Sequence, residues 1–321
     1  MNKIKIFCTL GPSSLTKNFL EFAELQKVDL VRLNMSHLNI INLKKNIKFI
    51  QKNSNLDICI DTEGAQIRTK ISKKIFLKIN QKIKIYSNKK FYLYPLNVFE
   101  KLKKNDRLEL GFDGLIIKII KKQKNFLEAK CIREGLLETN KGVHLINRKI
   151  KLNFLTSKDL VAIDISKKYK IKNYALSFTN SVNDIVKFNK LIPNAKKIFK
   201  VETAQALNNF SLLNKKGNEF LIDRGDLSKD ISIEKIPQAQ RLIFKKKLKK
   251  NKIYIATNLL ESMIKMPYPT RAEANDIYNA IEMGAAGLVL AAETAIGKYP
   301  RECITFLKNI IKSYKQKIKK F

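Results

Sequence analysis

No apolar run in these 321 residues approaches the roughly 18 to 20 needed to cross a bilayer, so no membrane-spanning helix is expected. The chain opens Met1-Asn2-Lys3-Ile4-Lys5 and passes directly into a strand-like segment, without the apolar run and small-residue cleavage site of a signal peptide. Cysteine is scarce. Cys8, Cys59, Cys131 and Cys303 are widely scattered, and no pair has metal-ligand or redox-pair spacing. They read as small buried hydrophobes in a reducing compartment, which predicts a cytoplasmic protein. Histidine occurs only as His37 and His144, so a His/Cys zinc cluster is excluded. A Walker A motif and a dinucleotide fingerprint are also missing.

Acidic residues are outnumbered, 28 against 64 Lys and Arg, for a formal charge of +36. Such an excess raises affinity for any polyanion. Here Lys dominates over Arg and is spread along the whole chain, together with abundant Asn and Ile. Runs such as Lys245-Lys246-Lys247 read as solvated faces, so nucleic acid is not the expected partner. The same charge favours attraction of phosphorylated substrates. A hydrophobic fraction of 45% is that of a globular chain.

Short apolar segments rich in Ile, Val, Leu and Phe recur at residues 4–9, 30–33, 58–60, 174–178, 197–201, 220–222, 253–256 and 287–290. Their continuous apolar character is that of strands covered on both faces. Helical periodicity separates them at 16–26, 39–53, 184–191, 237–250, 271–283 and 300–317, with a further helix start at 155–159. Thr16 is suited to begin a helix, and Gly284 to end one. Eight strands with interleaved helices predict an α/β fold, a closed (β/α)8 TIM barrel. Between residues 71 and 149 the helical period disappears and strand-like pieces with glycine turns take over. The expected organisation is therefore barrel over 1–70, an inserted β-rich lid domain over 71–149 after the third strand, and barrel again over 150–321. No separate C-terminal domain is expected beyond the eighth helix.

In a barrel of this kind catalysis belongs at the C-terminal strand ends. Polar residues fall there: Thr9; Arg32, Asn34 and Ser36; Asp61, Thr62 and Glu63; Lys200 and Glu202; Asp226; Thr257 and Asn258; Glu293 and Thr294. Glu202 and Asp226 are hard oxygen donors suited to Mg²⁺ or Mn²⁺. Lys200, two positions from Glu202, is placed to neutralise a phosphoryl group or steady an enolate, or else to form a structural salt bridge with Glu202 or Asp226. Gly225 allows backbone amides to approach a carboxylate or phosphate closely. Asn34, Ser36, Asp61 and Thr62 are small oxygen donors fit for a monovalent cation or a hydrogen-bond network. His37 reads equally as a phosphate-binding group or a structural histidine, and His144 has no obvious partner.

Several segments carry a resemblance. Cys8-Thr9-Leu10-Gly11-Pro12, Arg32-Leu33-Asn34-Met35-Ser36-His37 and Asp61-Thr62-Glu63-Gly64-Ala65-Gln66-Ile67-Arg68 resemble pyruvate kinases in order and spacing. So do Phe199-Lys200-Val201-Glu202, Arg224-Gly225-Asp226-Leu227, the block from Ala256 to Glu273, and Glu293-Thr294-Ala295. Phe112-Asp113-Gly114-Leu115 and Lys141-Gly142-Val143 look like that family's lid. The resemblance implies the glycolytic transfer of a phosphoryl group from phosphoenolpyruvate to ADP, giving pyruvate and ATP. It implies divalent-metal ligation by Glu202 and Asp226, and catalytic roles for Lys200, Thr257 and Arg32. It also implies phosphate or nucleotide contacts from Arg32, Asn34, His37 and Arg68. Substrate contacts would come from Lys200, Gly225, Asp226 and Thr257. A potassium site at Asn34, Ser36, Asp61 and Thr62 and a homo-oligomer are further expectations.

The chain also departs from the family pattern. Glu63, Ala65 and Gln66 alter the third-strand motif, and the position of Gln66 is tied in the family to dependence on a monovalent cation. Asp223 replaces a small residue beside the substrate pocket and requires pairing with Arg224 or a lysine. These changes motivate two alternatives: a related metal-dependent enzyme acting on another enolpyruvyl or 2-oxo-acid substrate, and a catalytically silent barrel with a binding or regulatory role.

Overall fold

The structure, a computed structural model, describes residues 3–111 and 114–316. Phe112 and Asp113 of the lid motif, and Lys317 at the end of the last helix, lie outside the described residues. The chain divides into two compact units, one formed by residues 1–64 and 157–321, the other by residues 65–156.

The first unit is a closed barrel of eight parallel strands: β1 (Lys5–Thr9), β2 (Leu30–Asn34), β3 (Ile58–Asp61), β4 (Asn173–Leu176), β5 (Lys196–Val201), β6 (Glu219–Asp223), β7 (Lys252–Ala256) and β8 (Gly287–Leu290). Each strand pairs with its neighbours in chain order, and β8 closes on β1 through the register Ile6 to Leu288. The expected TIM barrel is present. Its interior is filled by apolar residues from every strand: Phe7, Leu30, Cys59, Ala175, Ile198, Leu221, Tyr254 with Ala256, and Val289. Small Cys59 and Ala175 lie on adjacent strands, and bulkier side chains fill most of the remaining space. Phe7 and Tyr254 bring their ring centroids to 4.7 Å.

Helices α1 (Lys17–Leu25), α2 (Ile40–Asn53), α3 (Ser157–Lys168), α4 (Val182–Leu191), α5 (Ala204–Lys216), α6 (Arg224–Asp230), α7 (Ile236–Lys246), α8 (Arg271–Glu282), α9 (Ala292–Ala295) and α10 (Pro300–Gln316) alternate with the strands. Thr16 caps α1 by accepting from the Phe19 amide, and Gly284 follows α8 with φ of 92°, as expected of a glycine that ends a helix. Among the elements not legible in the periodicity are α5 and α6. In α5, Asn208, Asn209 and Asn214 interrupt the apolar stripe of Ala206, Phe210 and Leu213, although Thr203 caps it through the Ala206 amide. The short α6 begins at the residue following β6 and reads as a loop because its apolar content is a single buried leucine, Leu227. No helix among the described residues is long and apolar enough to cross a membrane.

The second unit is itself a closed β-barrel of seven strands, inserted after β3. Its longest strands, Leu115–Lys122 and Phe126–Arg133, alternate buried and half-buried residues before their exposed ends, so Leu115, Ile117, Ile119, Leu127, Ala129 and Cys131 face its core. A separate two-stranded ribbon pairs Ile75–Leu77 with Gly135–Leu137.

Candidate active site and metal centre

A strand repeats its direction every second residue, so the apolar layer of the barrel predicts what lies above it. Two positions beyond Phe7, Leu30, Cys59, Ala175, Ile198 and Leu221 come Thr9, Arg32, Asp61, Ser177, Lys200 and Asp223. All six are buried. The barrel thus passes within one repeat from an oily plug to a layer of polar groups at its C-terminal end.

Lys200 is the centre of this layer. Its Nζ lies 2.7 Å from Glu202 Oε1, 3.5 Å from Asp61 and 3.5 Å from Asp223, and donates to Ser177 Oγ at 3.2 Å. Burial works against its charge, but Asp61, Glu202 and Asp223 outweigh burial and hold Lys200 protonated, with a pKa well above the ordinary lysine range. Arg32 donates from Nε to Thr9 Oγ1 at 3.0 Å and faces Asp61 at 3.4 Å. The two cations flank Asp61, which is fully buried.

Glu202 is 1% exposed, and its two oxygens differ. Oε2 accepts from the Phe178 amide at 2.6 Å, across a backbone turned to φ of 52°. Oε1 approaches Lys200 but makes no hydrogen bond of good geometry. Burial pushes the Glu202 carboxyl up, Lys200 pulls it back, and Asp223 and Asp226 push it up again, to about 8. A nearby positive charge favours the ionised form of such a group. Glu202, Asp223 and Asp226 present ligand oxygens that all lie within 4.8 Å of one another. Three carboxylates with hard oxygen donors, the Glu202 oxygen sharing its charge with Lys200 at 2.7 Å, fit a divalent metal of the magnesium type.

Asp223 enters this group from the end of β6. Burial opposes its ionisation, but Lys200, Arg32 and the Thr257 hydroxyl hold its carboxyl below the usual range. The pairing is with Lys200, whereas the adjacent Arg224 turns to Asp276 at 2.6 Å. The Asp226 carboxylate pairs with Lys229 in the same helical turn.

Thr257 follows β7 with φ of 67°, and Asn258 follows it at 54°. Two consecutive residues in this region carry a backbone cost of about 1–3 kcal/mol each. Arg224 holds them there, donating to Thr257 O at 3.1 and 2.7 Å and to Asn258 O at 3.1 Å. The Thr257 hydroxyl lies 3.1 Å from Asp223 Oδ1 and accepts from the Gly225 amide at 2.8 Å. The Asp226 amide points to Asp223 Oδ1 at 3.5 Å. The amides of Gly225 and Asp226 therefore meet groups of this chain.

The remaining strand-end residues divide. Asn34 lies opposite Asp61 in the β2–β3 register, and its Oδ1 accepts from the Ser36 amide at 2.9 Å. Thr62 Oγ1 accepts from the Ser177 amide at 3.0 Å. His37 is exposed. Thr294 donates to Thr9 O, and buried Glu293 accepts from the amides of Leu260 and Ala291, so both act as fasteners between loops. Glu63 pairs with Lys158 at 2.8 Å. Arg68 belongs to the inserted unit, where it donates to Asn140 O at 3.4 Å. Ser177 and Phe178 escaped the sequence reading. Ser177 was legible as the second residue beyond buried Ala175, whereas an amide donor such as Phe178 has no sequence signal.

Residues 1–304 match the sequence profile of the barrel domain of pyruvate kinase. The pyruvate kinase of Thermotoga maritima is 30% identical, over all of this chain and 73% of the relative. That of Buchnera aphidicola subsp. Schizaphis graminum is 32% identical, over 97% of this chain and 70% of the relative. That of Chlamydia muridarum is 28% identical, over 96% and 68% respectively. A profile that runs through almost the whole barrel, relatives aligned along nearly the full chain and a carboxylate group at the strand ends agree: this chain belongs to the pyruvate kinase family.

Proposed function

We propose that the chain transfers a phosphoryl group from phosphoenolpyruvate to ADP, forming pyruvate and ATP. The observation that carries this reading is Lys200, buried and charged beside Glu202, with Asp226 completing the carboxylate group and Thr257 close by. In the reaction the phosphorus–oxygen bond to the enol oxygen breaks and a bond to a β-phosphate oxygen of ADP forms. The enolate left behind takes a proton at carbon to become pyruvate.

The chain's own groups suit these demands. Lys200 and Arg32 supply fixed positive charge where negative charge passes between oxygens, and a site of low dielectric strengthens that interaction. Because Lys200 is held by Asp61, Glu202 and Ser177, its position is set before substrate arrives. Thr257 presents a hydroxyl for the enolate side of the reaction. Glu202, Asp223 and Asp226 would hold Mg²⁺ or Mn²⁺, which supplies Lewis-acid charge neutralisation of phosphoryl and enolate oxygens. Asn34, Ser36, Asp61 and Thr62 are the groups assigned to K⁺ in this reading.

The test is production of pyruvate from phosphoenolpyruvate and ADP by folded protein with Mg²⁺ and K⁺. Turnover that disappears in Lys200→Ala supports the reading, and no pyruvate from the folded parent overturns it. The Gly225 and Asp226 amides, directed at Thr257 and Asp223, favour a second reading: a metal-dependent reaction on another enolpyruvyl or 2-oxo-acid substrate. A substrate panel separates the two, since turnover confined to phosphoenolpyruvate removes the second.

A further inference from the structure

Lysine is spread along the sequence, but in the inserted unit the fold brings it together with aromatic rings. The strands Phe126–Arg133, Lys82–Tyr86, Phe91–Tyr94 and Ile67–Ile71 lie side by side in that order. Their pairings set Phe126 opposite Tyr86, Tyr86 opposite Tyr92, and Tyr92 opposite Lys70. The chain neighbours Leu127, Ile85, Leu93 and Thr69 are buried, and successive side chains of a strand face opposite ways. Phe126, Tyr86, Tyr92 and Lys70 therefore form one row across the outer face of the small barrel, half-buried at its surface.

The rings of this row meet ammonium groups. The Tyr86 and Phe126 centroids lie 6.2 Å apart with the rings tilted at 51°. Lys84 Nζ stands over Phe126 at 4.5 Å, and Lys89 and Lys90 stand over Tyr86 at 5.8 and 5.6 Å. These three lysines are exposed, and none forms an ion pair among the described residues. The one acid on the outward positions of the four strands, Glu128, is matched by Lys82 at 3.1 Å. The row ends in a cavity of about 480 Å³ lined by Lys70, Ile71, Ser72, Lys90, Tyr92 and Thr139, where two lysines and two aliphatic hydroxyls surround a ring.

Flat rings beneath mobile ammonium groups fit a ligand that carries planar bases on a phosphate backbone. Rings seated half-buried on a sheet offer faces to stack on rather than side chains to insert into a bilayer. We infer that this outer face binds single-stranded nucleic acid, its bases stacked on Phe126, Tyr86 and Tyr92 and its phosphates met by Lys84, Lys89 and Lys90. An arriving base displaces the lysine over the ring, which turns to the adjacent phosphate and exchanges a contact with a π cloud for one with a full charge. Stacking accepts every base, so recognition is tolerant of sequence. A duplex, whose bases already stack on one another, binds through charge alone. The inference is independent of the proposed phosphoryl transfer.

The experiment is fluorescence anisotropy of a labelled single-stranded oligouridylate titrated with the full chain at two salt concentrations. The oligomer is longer than the roughly 4–16 nucleotides that a small nucleic-acid-binding barrel covers. The parent is expected to bind it, more weakly at the higher salt. Tyr86→Ala and Phe126→Ala keep the charge, and each should weaken binding by roughly 5- to 100-fold, the scale of one lost base stack. Tyr86→Phe should bind as the parent does, and Lys245→Gln, on α7 of the other unit, should change affinity little. Tyr86→Leu retains apolar bulk without a flat face, so it carries the test should the alanine variants unfold, with circular dichroism as the check. Affinity unaltered in folded Tyr86→Leu and Phe126→Ala overturns the proposal and leaves only the attraction of a basic chain for any polyanion. A parent that binds no oligouridylate, or binds phosphatidylserine vesicles in its place, overturns it too. So does displacement of the oligomer by uridine monophosphate at an equal concentration of nucleotide, which would make this a site for free nucleotides.

Discussion

The guanidinium of Arg224 donates to the carbonyl oxygen of Thr257 from two nitrogens, Nε at 3.1 Å and Nη2 at 2.7 Å. A planar fork of this kind fixes a carbonyl in direction as well as distance, and a lysine ammonium lacks that geometry. Arg224 is itself anchored by Asp276 on α8. The position of the Thr257 hydroxyl is therefore set by a chain of contacts running from α8 through α6 to the end of β7.

Replacing Arg224 by Lys should release that backbone while leaving the metal carboxylates in place. Under the proposed activity, kcat is expected to fall by up to about 10²-fold, the effect of a displacement near 1 Å. Mn²⁺ affinity should change little. Steady-state kinetics alongside Mn²⁺ titration checks this; an unchanged kcat would show that Thr257 holds its place without the fork.

Lys200→Met removes the cation that ion-pairs with all three buried carboxylates. Breaking one side of such a cluster costs about 3–5 kcal/mol because the partners stay buried and uncompensated. Urea unfolding at neutral pH should register that loss together with abolished turnover. A variant as stable as the parent would mean that Arg32 alone balances the cluster.

Gly64 has φ of 66°, and a Cβ there would stand 2.6 Å from Ser177 O. Its amide and that of Glu63 donate to the buried carboxylate of Asp159, at 3.1 and 2.7 Å. Gly64→Ala therefore meets both backbone strain and a clash with main chain that cannot swing aside. A loss of at least about 2 kcal/mol in chemical denaturation is expected, from an unfavourable φ together with overpacking.

Glu273 joins the start of α8 to the preceding turn by accepting from Ser262 and Thr270. Partial burial opposes its ionisation, but these hydrogen bonds prevail and set its pKa below the ordinary 4.5. A depressed carboxylate pKa contributes stability above the unfolded value, and that contribution disappears as pH falls through the folded value. Glu273→Gln should thus lower Tm at pH 7, with the difference from the parent shrinking below about pH 4.5. A Tm difference that stayed constant from pH 7 to pH 3 would assign the effect to packing.

Much of the barrel was legible in the chain because its strands are continuous apolar runs and its helices carry helical periods. Lys197 to Val201 and Ile253 to Ala256 announce themselves in this way, and Lys200 and Glu202 stand on the same side of the strand simply through its period of two. Helix α5 was hidden because its asparagines dilute the stripe that tertiary packing nevertheless buries. The inserted unit read as β-rich from its alternation, but its closure into seven strands depends on pairings such as Ile67–Ile71 with Gly142–Leu145, far apart in the chain.

The sequence by itself determined the family, the order of strands and helices, and the identity of the polar residues at the strand ends. Partnership was decided only by the tertiary structure. Asp223 and Arg224 are adjacent and opposite in charge, yet consecutive side chains diverge, and Arg224 goes to Asp276 and Thr257 while Asp223 goes to Lys200. Lys200 comes from the neighbouring strand, whose Leu221 and Ile222 contacts set the register that places it beside Asp223. Charges pair through space, and barrel closure decides which of them share it.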